Sequence, residues 1–549
     1  MKPIDGFMLD DARVAREREK GVWPDRVATD YLDRWAAERP NGLAVVSWQL
    51  EDESETRLDY RQLAQHVART ARALERSGVR RGDVVSFQLP NRWQFVALYL
   101  ACVRLGAIAN PLMPIFRSRE LSFMLKQAEA RVFVVPKSFR GFDHESLARD
   151  LAAGIPGMRV LVSGGDGAES FEGQIETAHD CQAFERGARL RPNDITQLMY
   201  TSGTTGESKG VLHTSNTLLC AVRCYAEHMR MGANDVIFMP SPIAHQLGFS
   251  YGMLMALQLG IPVVLTDIWR PARAAQLIEA NGATFTFAAT PFLADLAAIA
   301  KESGKKLGRL RLFASSGAPI PPAVAEAGRQ HLGVAVAASW GMTECDSVTV
   351  TPPDGSRSTE SDGCAIGNGE VRVVDEQGDE VPRGQSGTLQ VRGSSLFVGY
   401  LKRPNLYKLD RDGWFDTGDI ARMDAEGYIR ICGRSKDVII RGGENIPVVE
   451  IEAALYRMPQ VADAALVAMP DARLQERACA FVSLRAGKSL DLETICKQLE
   501  AEGFTKHFWP ERLEVLAEMP RTPTGKIQKF VLREIAKGLQ VKPGAARAA

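Results

Sequence analysis

Four strand-like runs in the middle of the chain each end in a loop of unusual residues, and this restricts the fold more than any other feature. Asp235 to Met239 runs into Pro240-Ser241-Pro242-Ile243-Ala244-His245, and Thr284 to Ala288 into Thr290-Pro291. Leu310 to Ala314 runs into Ser315-Ser316-Gly317-Ala318-Pro319, and Val334 to Ala338 into Ser339-Trp340-Gly341-Met342-Thr343-Glu344. Upstream, strand-like runs at Leu43 to Trp48, Asp83 to Gln88, Ala107 to Pro111 and Arg131 to Val135 alternate with helical spacing over Tyr60 to Ser77 and Phe95 to Gly106. Such alternation implies a mainly parallel sheet with helices on its faces. Ligands of open α/β sheets sit beyond the carboxyl ends of the strands, so the four loops should converge on one crevice.

A second stretch says what that crevice holds. Between Thr201 and Gly210 fall five Ser or Thr hydroxyls (Thr201, Ser202, Thr204, Thr205, Ser208), three glycines and Lys209. Phosphate oxygens need many donors at close range, and glycine lets backbone N–H groups approach where a Cβ would block them. Hydroxyls donate to phosphate or ligate Mg²⁺, and lysine adds a point charge. A flexible Ser/Gly linker has similar composition, but here the polar residues are confined to one tight loop between apolar runs. A P-loop is excluded by spacing, because Lys209 follows Ser208 and precedes Gly210.

At 549 residues two or more domains are expected. Lys plus Arg and Asp plus Glu both number 67, so no global charge points to nucleic acid or an anionic membrane. The cysteines are scattered without redox or zinc spacing, which favours a reducing, cytoplasmic home. The charged amino terminus argues against a signal peptide, and the longest apolar tracts, Phe95 to Val103 and Met253 to Leu265, are too short for a membrane span.

Gly164 to Gly167 reads as a polar turn, and the segment to Pro192 as a surface excursion. From Glu370 to Ile431 the texture becomes β-rich, with Trp414-Phe415-Asp416-Thr417-Gly418-Asp419 inside it and Gly433-Arg434-Ser435-Lys436-Asp437 following. Beyond it, helical spacing over Val448 to Arg457 and Leu492 to Ala501, with strands at Val461 to Ala468 and Cys479 to Leu484, forms a small α+β unit. That unit ends in Pro520-Arg521-Thr522-Pro523-Thr524-Gly525-Lys526 and a helix from Phe530. The expected division is a large domain over 1–435 and a small one over 436–549.

The phosphate loop, Trp340 to Glu344, Trp414 to Asp419, Gly433 to Asp437 and Pro520 to Lys526, in this order, resemble the adenylate-forming enzymes. The resemblance runs from about Tyr31 to Arg533 and looks most like short- and medium-chain fatty-acid or cyclohexanecarboxylate CoA ligases. It implies a large amino-terminal domain with mainly parallel sheets plus a β-rich part, and a small mobile carboxy-terminal domain. It also implies ATP, Mg²⁺ and coenzyme A as ligands and a small carboxylic acid as substrate, in a monomer or homodimer. The acid attacks the α-phosphate of ATP to give an acyl adenylate, and the CoA thiol then displaces AMP.

By the same resemblance, Lys526 would bridge the attacking carboxylate and the α-phosphate, offsetting the charge that builds when two anions meet. Glu344, with Thr201, would hold Mg²⁺, and Thr343 would touch the α-phosphate. Thr201, Ser202, Gly203, Thr204, Thr205 and Lys209 would cradle the phosphates, and Asp419 the ribose hydroxyls, with Arg434 adding charge. Adenine would lie between Gly317-Ala318-Pro319 and the Ser339-Trp340-Gly341 stretch, where relatives usually carry Tyr instead of Trp340. His245, Gln246, Leu247, Ser316 and Ser339 would border the acid, Lys436 would be the hinge, and Gly442 and Gly443 would admit pantetheine. Taken alone, Thr343-Glu344 also fits a helix start, Asp419 a turn and Gly442-Gly443 a plain β-turn.

Other members of the resemblance compete. An amino-acid adenylation domain usually has an acidic residue near the His245 loop, and Pro240 to Gln246 has none. An aryl-acid ligase, a ligase loading acyl carrier protein and a luciferase-like oxygenase share the motifs. A nucleotide sensor without turnover would have no need to keep Lys526, Glu344 and Asp419 together.

Overall fold

The computed structural model describes residues 4–178, 190–201, 208–317, 320–434, 437–441, 444–471, 474–521 and 527–539. The chain forms two compact units: residues 1–371 with 391–414, and residues 372–390 with 415–549. The β-rich stretch therefore divides between them, because 391–414 groups with the first unit.

In the first unit a nine-stranded sheet takes its strands in the order Cys364–Ala365, Asp346–Val350, Ala335–Met342, Leu312–Ser316, Phe285–Phe287, Ile237–Met239, Val263–Thr266, Leu43–Gln49, Ser54–Asp59. Its middle six strands are parallel and both margins antiparallel. A six-stranded sheet runs Lys209–Thr214, Ile195–Thr201, Ile108–Pro111, Val84–Phe87, Val132–Pro136, Arg159–Ser163, parallel except at the Lys209 edge. Parallel strands covered on both faces are continuously apolar, and Val132 to Val135 are all buried. Helix Trp93–Leu105 is buried on nearly every side and stops at Gly106, whose φ of +79° closes the end left-handed. The α/β class read from the alternation is the class observed.

Two local expectations need correction. The strand expected to stop at Ala338 runs on through Ser339, Trp340 and Gly341 to Met342, and turns at Thr343–Cys345 into antiparallel Asp346–Val350. Thr343-Glu344 is therefore the tip of a hairpin and starts no helix. At Gly341 a Cβ would lie 2.1 Å from the Asp346 carbonyl oxygen, so the close crossing of the two strands requires glycine there. The surface excursion after Gly167 also carries a short helix, Phe171–Glu176, whose Phe171 and Ile175 are buried in the core.

Strands Glu370–Val374, Ser386–Arg392, Phe415–Met423 and Ile429–Arg434 form one sheet, most of whose residues belong to the second unit. A second sheet takes the order Glu444–Ile446, Ile439–Arg441, Gln475–Leu484, Val461–Asp471, with Arg512–Val515 added parallel to Gln475–Leu484. Helices Val448–Arg457 and Leu492–Ala501 pack Ile451, Leu455, Ile495 and Leu499 into one core with that sheet. No helix among the described residues is long and apolar enough to cross a membrane.

Candidate active site

The phosphate-type loop joins two antiparallel strands, with Thr201 opposite Lys209 in register. Main-chain bonds tie the outer strand to a distant segment: Leu401 N donates to Gly210 O at 2.8 Å, Val398 N to Leu212 O at 2.9 Å, and Leu212 N to Gly399 O at 3.0 Å. Residues 396–400 also reach the hairpin at Glu344. Phe397 N donates to the Glu344 carbonyl at 2.7 Å, and the Tyr400 hydroxyl donates to Glu344 Oε1 at 2.7 Å. Burial and the neighbouring Glu344 carboxylate hold the Tyr400 phenol far above its usual range, so it keeps the proton it donates. Lys209 Nζ sits 4.9 Å from the centroid of the same ring. One tyrosine thus stands between the lysine of the loop and the acidic residue of the hairpin.

His213, on the outer strand, makes a third tie. Its Nε2 donates to the Thr343 carbonyl at 2.7 Å, and its Nδ1 is 3.0 Å from the Thr217 hydroxyl. Burial pushes this imidazole down to about 4, with Arg13 adding to the effect. The ring is therefore neutral, and its proton lies on Nε2 because a carbonyl can only accept. Arg13 in turn donates to the carbonyls of Phe397 and Leu396. Neither Tyr400 nor His213 was singled out from the sequence.

His245 caps the following helical turn, Leu247 N approaching its Nδ1 at 3.4 Å. Gln246 is buried, and its Nε2 donates to Ser250 Oγ at 3.2 Å and to both Asp346 oxygens at 3.2 and 3.1 Å. Burial raises the Asp346 carboxyl to about 7, against the pull of hydrogen bonds from Ser250 and Gln246. Ser339 Oγ donates to Thr349 O at 3.1 Å, Trp340 is buried on its strand, and Leu247 and Ser316 are half-buried. Ser316 lies opposite Ser339 in register, and Gly317 follows with φ +91°.

In the second unit Asp419 lies opposite Arg434 across antiparallel strands, and Arg434 Nε donates to Asp419 Oδ1 at 2.9 Å. The charge of Arg434 is thus directed at Asp419 itself. Arg521 bridges Ile527 in antiparallel register, Gln528 N donates to Pro520 O at 2.7 Å, and Lys529 Nζ pairs with Glu452 Oε1 at 2.7 Å. Ser202, Gly203, Thr204, Thr205, Ala318, Pro319, Lys436, Gly442, Gly443 and Lys526 lie outside the described residues.

Comparison with known proteins decides the family. Residues 32–401 match the AMP-binding enzyme family, and residues 450–526 match the AMP-binding enzyme C-terminal domain. This chain belongs to the AMP-binding, adenylate-forming superfamily of acyl-CoA synthetases. It is 34% identical over 534 residues to the medium-chain fatty-acid–CoA ligase of Escherichia coli, covering 96% of this chain and 93% of that one. It is 35% identical over 538 residues to a salicylyl-CoA synthase / salicylate adenylyltransferase of Streptomyces, covering 95% and 96%. Among solved structures, ATP-bound MatB from Rhodopseudomonas palustris superposes with a TM-score of 0.83 at 28% identity, over 93% of this chain and 99% of that one.

Acyl-CoA synthetases of this family are AMP-forming and use ATP, Mg²⁺ and CoA. The donor set fits the cation: Glu344 offers a carboxylate whose second oxygen takes no hydrogen bond from the described residues. Among those residues no group of three or more His, Cys, Asp or Glu is placed to hold a metal.

Proposed function

We propose that this acyl-CoA synthetase activates a short- or medium-chain fatty acid or an alicyclic acid and passes it to free coenzyme A. The observation that supports this best is the junction of Lys209, Tyr400 and Glu344, where the lysine assigned to phosphate and the carboxylate assigned to the cation meet one buried tyrosine. The similarity to the medium-chain ligase of Escherichia coli favours the size of acid. An aryl acid is the second reading, favoured by the polar Gln246–Asp346 contact and by the Streptomyces relative.

In the mechanism we infer, Lys209 and the hydroxyls of Thr201, Ser202, Thr204 and Thr205 hold the triphosphate. Tyr400 fixes one oxygen of Glu344 and leaves the other for a cation. Glu344 and Thr201 would hold Mg²⁺, which when bound would supply charge neutralisation to the phosphates. His213 holds the Thr343 carbonyl, and with it the Thr343 hydroxyl that we assign to the α-phosphate. Asp419 accepts from the ribose, and Lys526 offsets the charge of the incoming carboxylate. Trp340 with Gly317, Ala318 and Pro319 is assigned to adenine, and Gly442 and Gly443 to pantetheine after a turn at Lys436. We place the enzyme in the cytoplasm as a monomer or homodimer.

The test is a panel of linear, alicyclic and aryl acids scored first for acid-dependent pyrophosphate release and then for CoA-dependent AMP release. Medium-chain or alicyclic acids should give both. Pyrophosphate release without any thioester would transfer the second step to a carrier protein.

A further inference from the structure

Ahead of the stretch matched to the AMP-binding enzyme family, the first part of the chain packs against the segment that carries Tyr400. Met8 N donates to Val398 O at 2.7 Å and Lys402 N to Asp5 O at 2.8 Å, so residues 5–8 run beside 398–402 as a main-chain partner. Gly6 and Gly399 cross between these bonds. A Cβ on Gly6, at φ +93°, would lie 1.9 Å from the Tyr400 carbonyl oxygen, and one on Gly399 1.9 Å from the Gly6 carbonyl oxygen. Helix Asp11–Glu19 then turns two charged side chains inward. Arg13, 5% exposed, donates from Nη1 to Phe397 O at 2.9 Å and to the Tyr407 hydroxyl at 3.1 Å, and from Nη2 to Leu396 O. Glu17, 1% exposed, accepts from Ser394 Oγ at 2.6 Å, and Trp23 Nε1 donates to Ser394 O at 2.9 Å. The Arg13 charge also adds to the depression of the His213 imidazole, burial being the larger cause, so it reaches the residue that holds Thr343. A guanidinium is a rigid planar fork, and two successive carbonyls bonded to it are fixed in direction as well as position. Arginine is seldom buried unless its donors are used in this way. The restraint passes on to the hairpin through Phe397 N on Glu344 O and the Tyr400 hydroxyl on Glu344 Oε1, both at 2.7 Å. All of these residues belong to the first unit.

We propose that Arg13 is a positioning residue for cation binding, which pins the Leu396 and Phe397 carbonyls so that Phe397 and Tyr400 hold the Glu344 hairpin in place. This inference rests on the reading of Glu344 as the carboxylate that takes Mg²⁺, and extends that site to an arm of the chain that touches neither nucleotide nor acid. Residues 5–8 brace the same segment from its other end. Without the fork, Glu344 keeps its carboxylate but loses the fixed aim that a hard cation needs.

The experiment titrates Mg²⁺ at fixed ATP in the acid-dependent pyrophosphate assay for the wild type, Arg13→Met, Tyr400→Phe and the double variant. Arg13→Met keeps the aliphatic bulk and removes the donors. It should raise the half-saturating Mg²⁺ concentration by about five- to tenfold, with the KM for the acid unchanged. Because Arg13 acts through the residues that hold Glu344, the double variant should exceed the larger single shift by no more than about twofold. Ile278→Ala, in the separate core beneath helix Pro271–Ala280, should lower the melting temperature and leave the midpoint where it was. If Arg13→Met does not fold, Gly6→Ala decides instead: it forces the arm away from Tyr400 with Arg13 intact, and should raise the midpoint by about twofold or more. An unmoved midpoint in the deciding variant while Tyr400→Phe shifts it, a double variant showing the product of the two single shifts, or an equal shift in Ile278→Ala would each overturn the positioning role and leave Glu344 with its cation. An unmoved midpoint in Tyr400→Phe would remove the cation reading of the Tyr400–Glu344 contact, and the inference with it.

Discussion

Tyr400 donates its hydroxyl to Glu344 Oε1 at 2.7 Å, joining residues 56 positions apart in the chain. A carboxylate held on one oxygen by a fixed donor has lost the freedom to turn, and its other oxygen is aimed. Tyr400→Phe keeps the ring beside Lys209 and removes only this bond. The half-saturating Mg²⁺ concentration should rise by about tenfold, with a similar fall in kcat at limiting metal. Titrating Mg²⁺ in the acid-dependent pyrophosphate assay reads this directly, and an unchanged midpoint would detach Tyr400 from the metal.

On the proposed mechanism Lys526 acts in the first half-reaction alone. Lys526→Ala should lose adenylate formation by a factor of about a thousand, the scale of removing a transition-state charge partner. The same variant, given a synthetic acyl adenylate and CoA, should still make thioester at close to the normal rate. Equal loss of both steps would assign the lysine a general structural role.

His213 gives the fold a pH dependence whose sign follows from burial. Its folded value, about 4, lies below the ordinary 6.5. Between those values the unfolded chain binds the extra proton, so stability is full above about 6.5 and falls as the pH drops towards 4. The loss is on the order of 1–3 kcal/mol. His213→Gln keeps a donor for the Thr343 carbonyl and cannot titrate. Its melting temperature should therefore fall less steeply between pH 7 and pH 4.5 than that of the wild type. Parallel curves would remove His213 as a source.

Much of this was legible in the sequence, and the exceptions have physical reasons. The helix Leu492–Ala501 and the strand Leu43–Gln49 match their expected bounds closely because local apolar spacing determines them. Ser339 to Met342 reads as loop because Ser-Trp-Gly lacks β-branched residues. The strand continues there because Asp346–Val350 folds back as its partner, a pairing with no signal inside the segment. Tyr400 and His213 carry no motif of their own. Their importance depends on partners at Glu344 and Thr343, reached only after the 396–401 and 209–214 segments pair. The phosphate-binding composition, by contrast, is a property of one short stretch and needs no fold to be recognised.

The base of the segment carrying Lys526 should depend on one partly buried ion pair. Burial raises the Glu452 carboxyl, and Lys529 is the first of the contacts that oppose it. Lys529→Met strands that carboxyl and should cost on the order of 1–3 kcal/mol, less than for a fully enclosed pair because both side chains retain some solvent contact. Adding Glu452→Gln should restore most of the loss. Chemical denaturation of the two variants measures this, and equal stability of single and double variants would contradict it.

The most direct test of carboxylate activation follows an oxygen atom. If the acid attacks the α-phosphate and the thiol then attacks the acyl carbon, a substrate labelled with ¹⁸O in its carboxylate must leave one labelled oxygen on AMP. Mass spectrometry of the nucleotide product should find AMP carrying a single ¹⁸O together with unlabelled pyrophosphate. Unlabelled AMP, or ADP with labelled phosphate, would contradict attack at the α-phosphate.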